Sequence, residues 1–217
     1  MIKAVIFDMD GLMFDTESAY SVVQSEMSEK RGKVFTDEVK RPLMGKRAYE
    51  VMSLLNDFWG KKENIAELLK EQDQKLIEIY NHSVGKLDGL DDLLTFLNKN
   101  SIRRCIGTSS RRFLVDVLLK KFDLESGFEF IVSGDMVTNG KPDPEIYQKC
   151  LEGLKLSGNE CLVLEDSLNG IKAGVAAGCQ TCAVPSQYTN SEDFSLADIV
   201  AGSLDDEQIK VLIMGSK

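Results

Sequence analysis

The sequence lacks the features that mark several large classes of protein. It has no basic stripe: 35 acidic residues against 26 Lys and Arg give a net charge of −9. This balance argues against binding to nucleic acids or to a membrane surface. No apolar run approaches the roughly 20 residues that span a bilayer. The first strand pattern begins directly after Met1, so we expect no signal peptide and a cytoplasmic protein.

The cysteines do not form an obvious disulfide framework. There are five of them, an odd number, and they lie mostly within apolar stretches. We therefore expect reduced residues of the core. Cys179 and Cys182 have the spacing of a redox motif, which normally sits at a helix start. Here the pair follows a predicted helix end and leads into a strand, so we interpret the spacing as incidental.

What is present is an alternation of strand and helix patterns. Short strand patterns at 4–7, 103–107, 130–133 and 161–164 are separated by segments with helical periodicity, and two more short strands follow. This alternation predicts an α/β fold with a doubly wound parallel sheet. Between residues 16 and 83 only helical patterns occur. An all-helical block therefore separates the first strand from the rest of the sheet.

Two carboxylates follow the first predicted strand. Asp8 ends the apolar run, and Asp10 comes two residues later, before Gly11. The carboxyl edge of a parallel sheet opens onto a crevice. Two carboxylates this close repel each other unless a proton or a cation intervenes, and Mg²⁺ suits their oxygens. Taken alone, the Asp10-Gly11 dipeptide is more typical of a strand that ends in an Asp-Gly turn.

Three other places at the same predicted edge carry polar residues. The second strand ends at Thr108-Ser109-Ser110, a later loop carries Lys141, and the fourth strand ends at Glu165-Asp166. Hydroxyl and N–H groups at a helix start bind phosphate, lysine neutralises phosphoryl oxygens, and carboxylates hold Mg²⁺. Each could singly be a helix cap or a solvated charge. Their combination in this order predicts a phosphoryl-transfer site.

The four motifs resemble those of the haloacid dehalogenase-like superfamily. They are the DxDG string at 8–11, Thr108, Lys141 and the acidic pair at 165–166. The strings Gly-Lys-Pro-Asp-Pro (140–144) and Glu-Asp-Ser-x-x-Gly (165–170) are similar to the β-phosphoglucomutase and phosphatase branch. The stretches after residue 11 and at 43–48 look most like the pseudouridine-5′-phosphatase group. The resemblance implies a Rossmann-like core (1–15 and 84–217) and an inserted helical cap (16–83).

The resemblance also implies the roles of the two leading carboxylates. Asp8 would attack phosphorus and become an aspartyl phosphate. Asp10 would protonate the leaving oxygen and then take a proton from water. Both are expected to bind Mg²⁺, Asp8 through its carboxylate and Asp10 through its backbone carbonyl.

The remaining motifs would hold the phosphoryl group and the metal. The resemblance implies that Thr108 and the Ser109 amide bind the phosphoryl group and that Lys141 balances its charge. Asp166 would bind Mg²⁺, and Glu165 would help directly or through water. Such a site acts by positioning and charge neutralisation.

The substrate is the least determined part of the prediction. A basic loop, Gly45-Lys46-Arg47, would lie over the phosphate when the cap closes, and its charges either bind the substrate or remain solvated. Tyr20 stands where the mutases have a histidine, and Arg47 is offset by one residue from their arginine.

We therefore expect a monomeric phosphatase for a small phosphorylated metabolite, either a sugar or a nucleoside monophosphate. The alternatives are a β-phosphoglucomutase-like sugar phosphomutase and a catalytically idle protein that binds a phosphometabolite.

Overall fold

The protein contains one parallel β-sheet with helices on both faces. The computed structural model describes residues 1–43 and 46–215. Within these residues the sheet has six strands in the order β3-β2-β1-β4-β5-β6, and each pair of neighbours is parallel. The strands are β1 (Ala4–Phe7), β2 (Arg103–Gly107), β3 (Ile131–Val132), β4 (Cys161–Glu165), β5 (Gln180–Ala183) and β6 (Ile199–Val200). This is the α/β doubly wound sheet that the sequence predicts.

The helices follow the apolar periodicity of the sequence. In α5, for example, four leucines at 90, 93, 94 and 97 form a buried stripe, and Asn64 accepts a hydrogen bond from Ala66 N at the start of α4. The helices are α1 (Thr16–Glu29), α2 (Asp37–Lys40), α3 (Ala48–Trp59), α4 (Ile65–His82), α5 (Leu90–Lys99), α6 (Arg112–Lys121), α7 (Glu145–Leu154), α8 (Leu168–Ala176) and α9 (Glu207–Met214).

The central strand β1 is buried on both faces. All four of its residues are fully buried, and their side chains alternate between two apolar clusters. Val5 and Phe7 belong to the larger cluster, whereas Ala4 and Ile6 pack with Tyr147 and its neighbours. A strand covered on both faces is continuously apolar, which explains the unbroken run in the sequence.

The segment between β1 and α5 is helical where it is described. Residues 16–43 and 46–83 contain α1 to α4 and a 3-10 turn at Arg41–Leu43, and no strand. Trp59 ties α3 to α1 because its indole N–H donates to Ser28 Oγ at 2.9 Å. The helical content is as predicted. The division into a core and a cap stays a prediction.

One strand is shorter than predicted: β3 is only two residues long, against the predicted 130–133. Helix α3 ends after Trp59, which is buried, and Gly60 then takes the left-handed conformation (φ 67°). The five cysteines are buried and free, as expected. None of the helices within 1–43 and 46–215 has the length and apolar character that crossing a bilayer requires.

Candidate active site

Three neighbouring strands bring the predicted motifs together. Because β1 lies between β2 and β4, Asp8, Thr108 and Asp166 follow adjacent strand ends at one edge of the sheet. A cavity of ≈ 70 Å³ lies at this edge. Its lining on the sheet side includes Asp8, Asp10, Ser109, Lys141 and Asp166. We call this the core half of the cavity.

Lys141 lies at the centre of the core half. Its ammonium group donates to Asp8 Oδ1 at 2.5 Å, to Glu165 Oε1 at 2.6 Å and to the Gly107 carbonyl at 3.1 Å. The side chain is only 2% exposed. Burial alone would lower the pKa of Lys141, but the carboxylates of Asp8 and Glu165 raise it above its usual value. Lys141 is therefore a fixed positive charge beside Asp8.

Glu165 is held by four hydrogen bonds. Its Oε1 accepts from Lys141 and from the Tyr147 hydroxyl at 2.7 Å, and its Oε2 accepts from the amide and hydroxyl of Ser167. Gly170 permits this arrangement, because a Cβ at that position would overlap the Glu165 carboxylate. Both oxygens of Glu165 are therefore already occupied. Tyr147 was not among the predicted site residues, although its place three residues after Pro144 on the next helix was a usable signal.

Asp8, Glu165 and Asp166 form a buried carboxylate cluster. One oxygen from each lies within 4.8 Å of the others. Burial raises the pKa values of Asp8 and Asp166 well above the usual range, and neighbouring carboxylates add to both effects. Within the described chain, no group donates a hydrogen bond to the Asp166 carboxylate. This carboxylate occupies space that a Cβ at Gly11 (φ 72°) would fill. Such oxygen donors fit a hard cation such as Mg²⁺.

Asp10 lies outside that cluster because two hydroxyl groups hold its carboxylate. Thr16 Oγ1 donates to Oδ1 at 2.8 Å, and Thr108 Oγ1 donates to Oδ2 at 3.0 Å. Burial raises the pKa of Asp10, although hydrogen bonds from Ser110, Thr16 and Thr108 oppose the shift. A raised pKa suits a carboxyl group that gives and takes protons.

Thr108 and Ser109 take different positions. The Thr108 side chain is fully buried, donates to Asp10 and accepts from the Ser110 amide at 3.1 Å. Ser109 lines the cavity, whereas Thr108 is not among the described residues that line it. Thr108 thus contacts the cavity through Asp10, and Ser109 faces it directly.

The two described residues of the predicted basic loop also take different positions. Lys46 lines the cavity. Arg47 is directed away from it: Nη1 donates to the carbonyls of Val137 and Thr138 at 3.2 and 2.5 Å, and Nη2 pairs with Glu50 at 2.6 Å. Arg47 therefore links the helical segment to the loop that leads to Lys141. Gly45 lies outside the described residues.

The helical segment supplies the opposite wall, which we call the cap half. It includes Glu17, Tyr20 and Gln24 from α1, together with Lys40 and Gln72. The three α1 residues recur at helical spacing and form a polar stripe on one face of the helix. This stripe is visible in the sequence but was not among the predicted site residues. Burial raises the pKa of Glu17 to about 7, against the opposing effect of Lys40. The Tyr20 hydroxyl contacts Ser110 Oγ at 3.1 Å, across the cavity edge.

Comparison with known proteins agrees with this geometry. Residues 5–184 match the family model for haloacid dehalogenase-like hydrolases. A phosphorylated carbohydrates phosphatase of Thermotoga maritima is 32% identical over 82% of this chain and 83% of its own. A probable pseudouridine-5′-phosphatase of Drosophila melanogaster is 32% identical over 93% of this chain and 89% of its own length. The crystal structure of CbbY from Rhodobacter sphaeroides in complex with phosphate superimposes with a TM-score of 0.85. It is 27% identical and covers 94% of this chain and 96% of its own.

The matched region contains β1 except its first residue, β2 to β5 and every residue of the core half described above. The chain therefore belongs to the haloacid dehalogenase-like hydrolases and is a hydrolase of phosphate monoesters.

Proposed function

We propose that this protein is a Mg²⁺-dependent phosphatase that hydrolyses a small sugar or nucleoside monophosphate through an aspartyl-phosphate intermediate. The observation that carries the proposal is the position of Asp8, which lines the cavity and accepts from Lys141 at 2.5 Å. A carboxylate at a cavity wall, beside a fixed cation, can act as a nucleophile toward a phosphate monoester.

Asp10 is the proposed acid and base. It lines the cavity two residues after Asp8, and its carboxyl group is oriented by Thr16 and Thr108. In the first step it would donate a proton to the leaving oxygen as Asp8 bonds to phosphorus. In the second step it would take a proton from the water that hydrolyses the acyl phosphate, which restores both carboxyl groups.

The metal would be held by the Asp8 and Asp166 carboxylates and by the backbone carbonyl of Asp10. When bound, Mg²⁺ supplies positive charge that neutralises the phosphoryl oxygens and the nearby carboxylates. We assign Glu165 to the orientation of Lys141, because its two oxygens already accept four hydrogen bonds. Lys141 and the Ser109 amide would then bind the phosphoryl group, with residues 16–83 as a cap over it.

A phosphatase fits the cap half better than a mutase does. A mutase needs a proton-transferring group for a sugar hydroxyl, and Tyr20 occupies the corresponding position. Burial raises the pKa of Tyr20 above its usual value, so the phenol does not ionise near neutral pH. The name of the Thermotoga maritima relative, a phosphatase of phosphorylated carbohydrates, also supports this choice.

The test is phosphate release from a panel of sugar, polyol and nucleoside monophosphates in Mg²⁺. We expect turnover that EDTA abolishes and Ca²⁺ inhibits, because Ca²⁺ takes more ligands at longer distances and misplaces the nucleophile. Isomerisation of β-glucose 1-phosphate with a bisphosphate primer would instead indicate a mutase. Binding of these compounds without any turnover, even of an aryl phosphate, would indicate an idle binding protein.

A further inference from the structure

A buried side-chain oxygen in the cap half has no partner. Gln72 on α4 is 1% exposed and lines the cavity, and its Oε1 accepts no hydrogen bond from the part of the chain that the structure describes. Buried polar atoms in folded proteins are nearly always paired, because an unmade hydrogen bond carries the full cost of desolvation. An orphaned acceptor that faces a cavity therefore points to a ligand that donates to it.

Helix α1 adds two neutral polar groups to the wall that includes Gln72, beside the carboxyl group of Glu17. Gln24, which is 5% exposed, and Tyr20 line the same cavity from α1. Lys40 also lines it, but its ammonium group already donates to Ser21 Oγ at 2.6 Å and lies 3.6 Å from the Tyr188 ring centroid and 3.8 Å from Glu17. Two amides and a phenol can exchange hydrogen bonds with hydroxyl groups.

The size of the cavity bears on which leaving groups these residues can surround. Its volume of ≈ 70 Å³ is about half of the roughly 150 Å³ that accommodates a benzene ring in an engineered protein cavity. The cavity is partly open, so a nucleobase with its ribose would extend out of it. A phosphoryl group with a short hydroxylated chain requires much less space.

We infer that Gln72, assisted by Gln24, binds a hydroxyl group of the leaving alcohol, and that the preferred substrate is the monophosphate of a small, uncharged polyol. This inference rests on the proposed phosphatase function and specifies its substrate class. The orphaned oxygen requires a donor, which a hydroxyl group supplies. A second phosphate, as a dianion, has only acceptors, so it could bind the NH2 group of Gln72 but not its unpaired oxygen.

The experiment compares two substrates that differ only in their hydroxyl groups. Glycerol 3-phosphate and 1-propyl phosphate would be assayed with the wild-type protein, Gln72→Leu and Gln74→Leu in Mg²⁺. Gln74 is exposed on the same helix and serves as the matched control. For the wild type and the control we expect kcat/KM for glycerol 3-phosphate to exceed that for propyl phosphate by roughly 10- to 100-fold. In Gln72→Leu this ratio should fall towards one.

Thermal unfolding supplies a readout that does not depend on turnover. Removal of an unpaired buried oxygen should raise the Tm of Gln72→Leu above that of the wild type. A rise in Tm together with the loss of the polyol preference would support the inference. A fall in Tm with an unchanged substrate ratio would overturn it, because Gln72 would then be a structural residue.

The panel also separates this inference from the proposed function. If the wild type hydrolyses an aryl phosphate but does not distinguish the two test substrates, the polyol assignment fails and the phosphatase stands. Preferred hydrolysis of a nucleoside monophosphate, or of a sugar bisphosphate in a manner that depends on Lys46, would overturn the polyol assignment in the same way. If no phosphate ester is hydrolysed, the proposed function itself fails.

Discussion

The two halves of the cavity differ in how completely their polar groups are paired. In the core half, Lys141 donates to three acceptors, and Glu165 behind it accepts four hydrogen bonds. In the cap half, Gln72 Oε1 is unpaired, and the Lys46 ammonium group makes no hydrogen bond or ion pair within the described residues. Lys141 and Glu165 are thus organised before a ligand arrives, and the Asp166 carboxylate is left for a cation. The cap half, by contrast, still has bonds to make with the substrate.

This difference separates the reaction from the choice of substrate. Groups that stabilise a transition state act best when they are fixed in advance, because no reorganisation is then needed during the reaction. Groups that select a substrate act by bonds that only the right ligand completes. We therefore expect substitutions in the core half to affect every substrate, and substitutions in the cap half to change the ranking of substrates.

The largest effect is expected from Asp8→Asn, which should abolish turnover of all substrates because an amide does not attack phosphorus. The fold should persist, since Lys141 keeps Glu165 as a partner. In EDTA at neutral pH the variant should be more stable than the wild type, because burial raises the pKa of Asp8 and its charge is therefore unfavourable in the folded state. Substantial turnover by the purified variant would show that Asp8 is not the nucleophile. Urea unfolding tests the stability.

Asp10→Asn should separate the two chemical steps. With a sugar or polyol phosphate, whose leaving oxygen needs a proton, the first step should slow by about 10²- to 10⁴-fold. An aryl phosphate needs no such proton, so Asp8 should still be phosphorylated, while hydrolysis of the intermediate stalls. Rapid-quench measurement of the released aryl alcohol should then show a burst. Loss of the burst together with the steady rate would argue against Asp10 as the acid and base.

A smaller effect is expected from Arg47→Ala, which tests whether Arg47 belongs to the core half or to the cap half. The variant loses the hydrogen bonds to the carbonyls at 137 and 138, near Lys141. We expect kcat/KM to fall by roughly 3- to 10-fold, equally for all substrates, because each lost bond contributes only about 1 kcal/mol. Arg41→Ala, at an exposed position, is the control. A loss that depends on the leaving group would instead place Arg47 at the substrate, as the basic loop in the sequence suggested.

The last effect is on stability rather than turnover and concerns the cap half without any substrate. Glu17 has a pKa of about 7 in the folded protein, raised by burial from the usual 4.5. Between these values the folded state binds more protons than the unfolded chain, so the free energy of unfolding should fall as the pH rises from 4.5 to 7. Glu17→Gln should remove the part of this decline that Glu17 causes, which amounts to roughly 3 kcal/mol at most, and the buried Asp8, Asp10 and Asp166 should keep the rest. Urea unfolding at both pH values, with the exposed Glu38→Gln as control, checks the result.

The same contrast explains what could be predicted from the sequence. Asp8, Asp166 and the hydroxyl cluster follow strand ends, and parallel strands place such ends side by side whatever the details of packing. The positions of Tyr147 and Gln72 depend on which face of a helix meets the sheet edge. That orientation is set by tertiary packing, and periodicity alone is compatible with two or more orientations of the helix. Arg47 donates to backbone carbonyls, and the position of a carbonyl group cannot be predicted from a pattern of side chains.

Gly170 has a consequence for how this enzyme tolerates change. Helix α8 passes so close to the end of β4 that any side chain at this position would displace the Glu165 carboxylate, and with it Lys141. In a library of all single substitutions, position 170 should therefore be as intolerant as Asp8 when variants are selected for activity. When the same library is sorted only by the amount of folded protein, Asp8 should accept Asn, whereas position 170 should accept glycine alone. Gly170, which has no side chain, would then tolerate as few substitutions as the nucleophile Asp8.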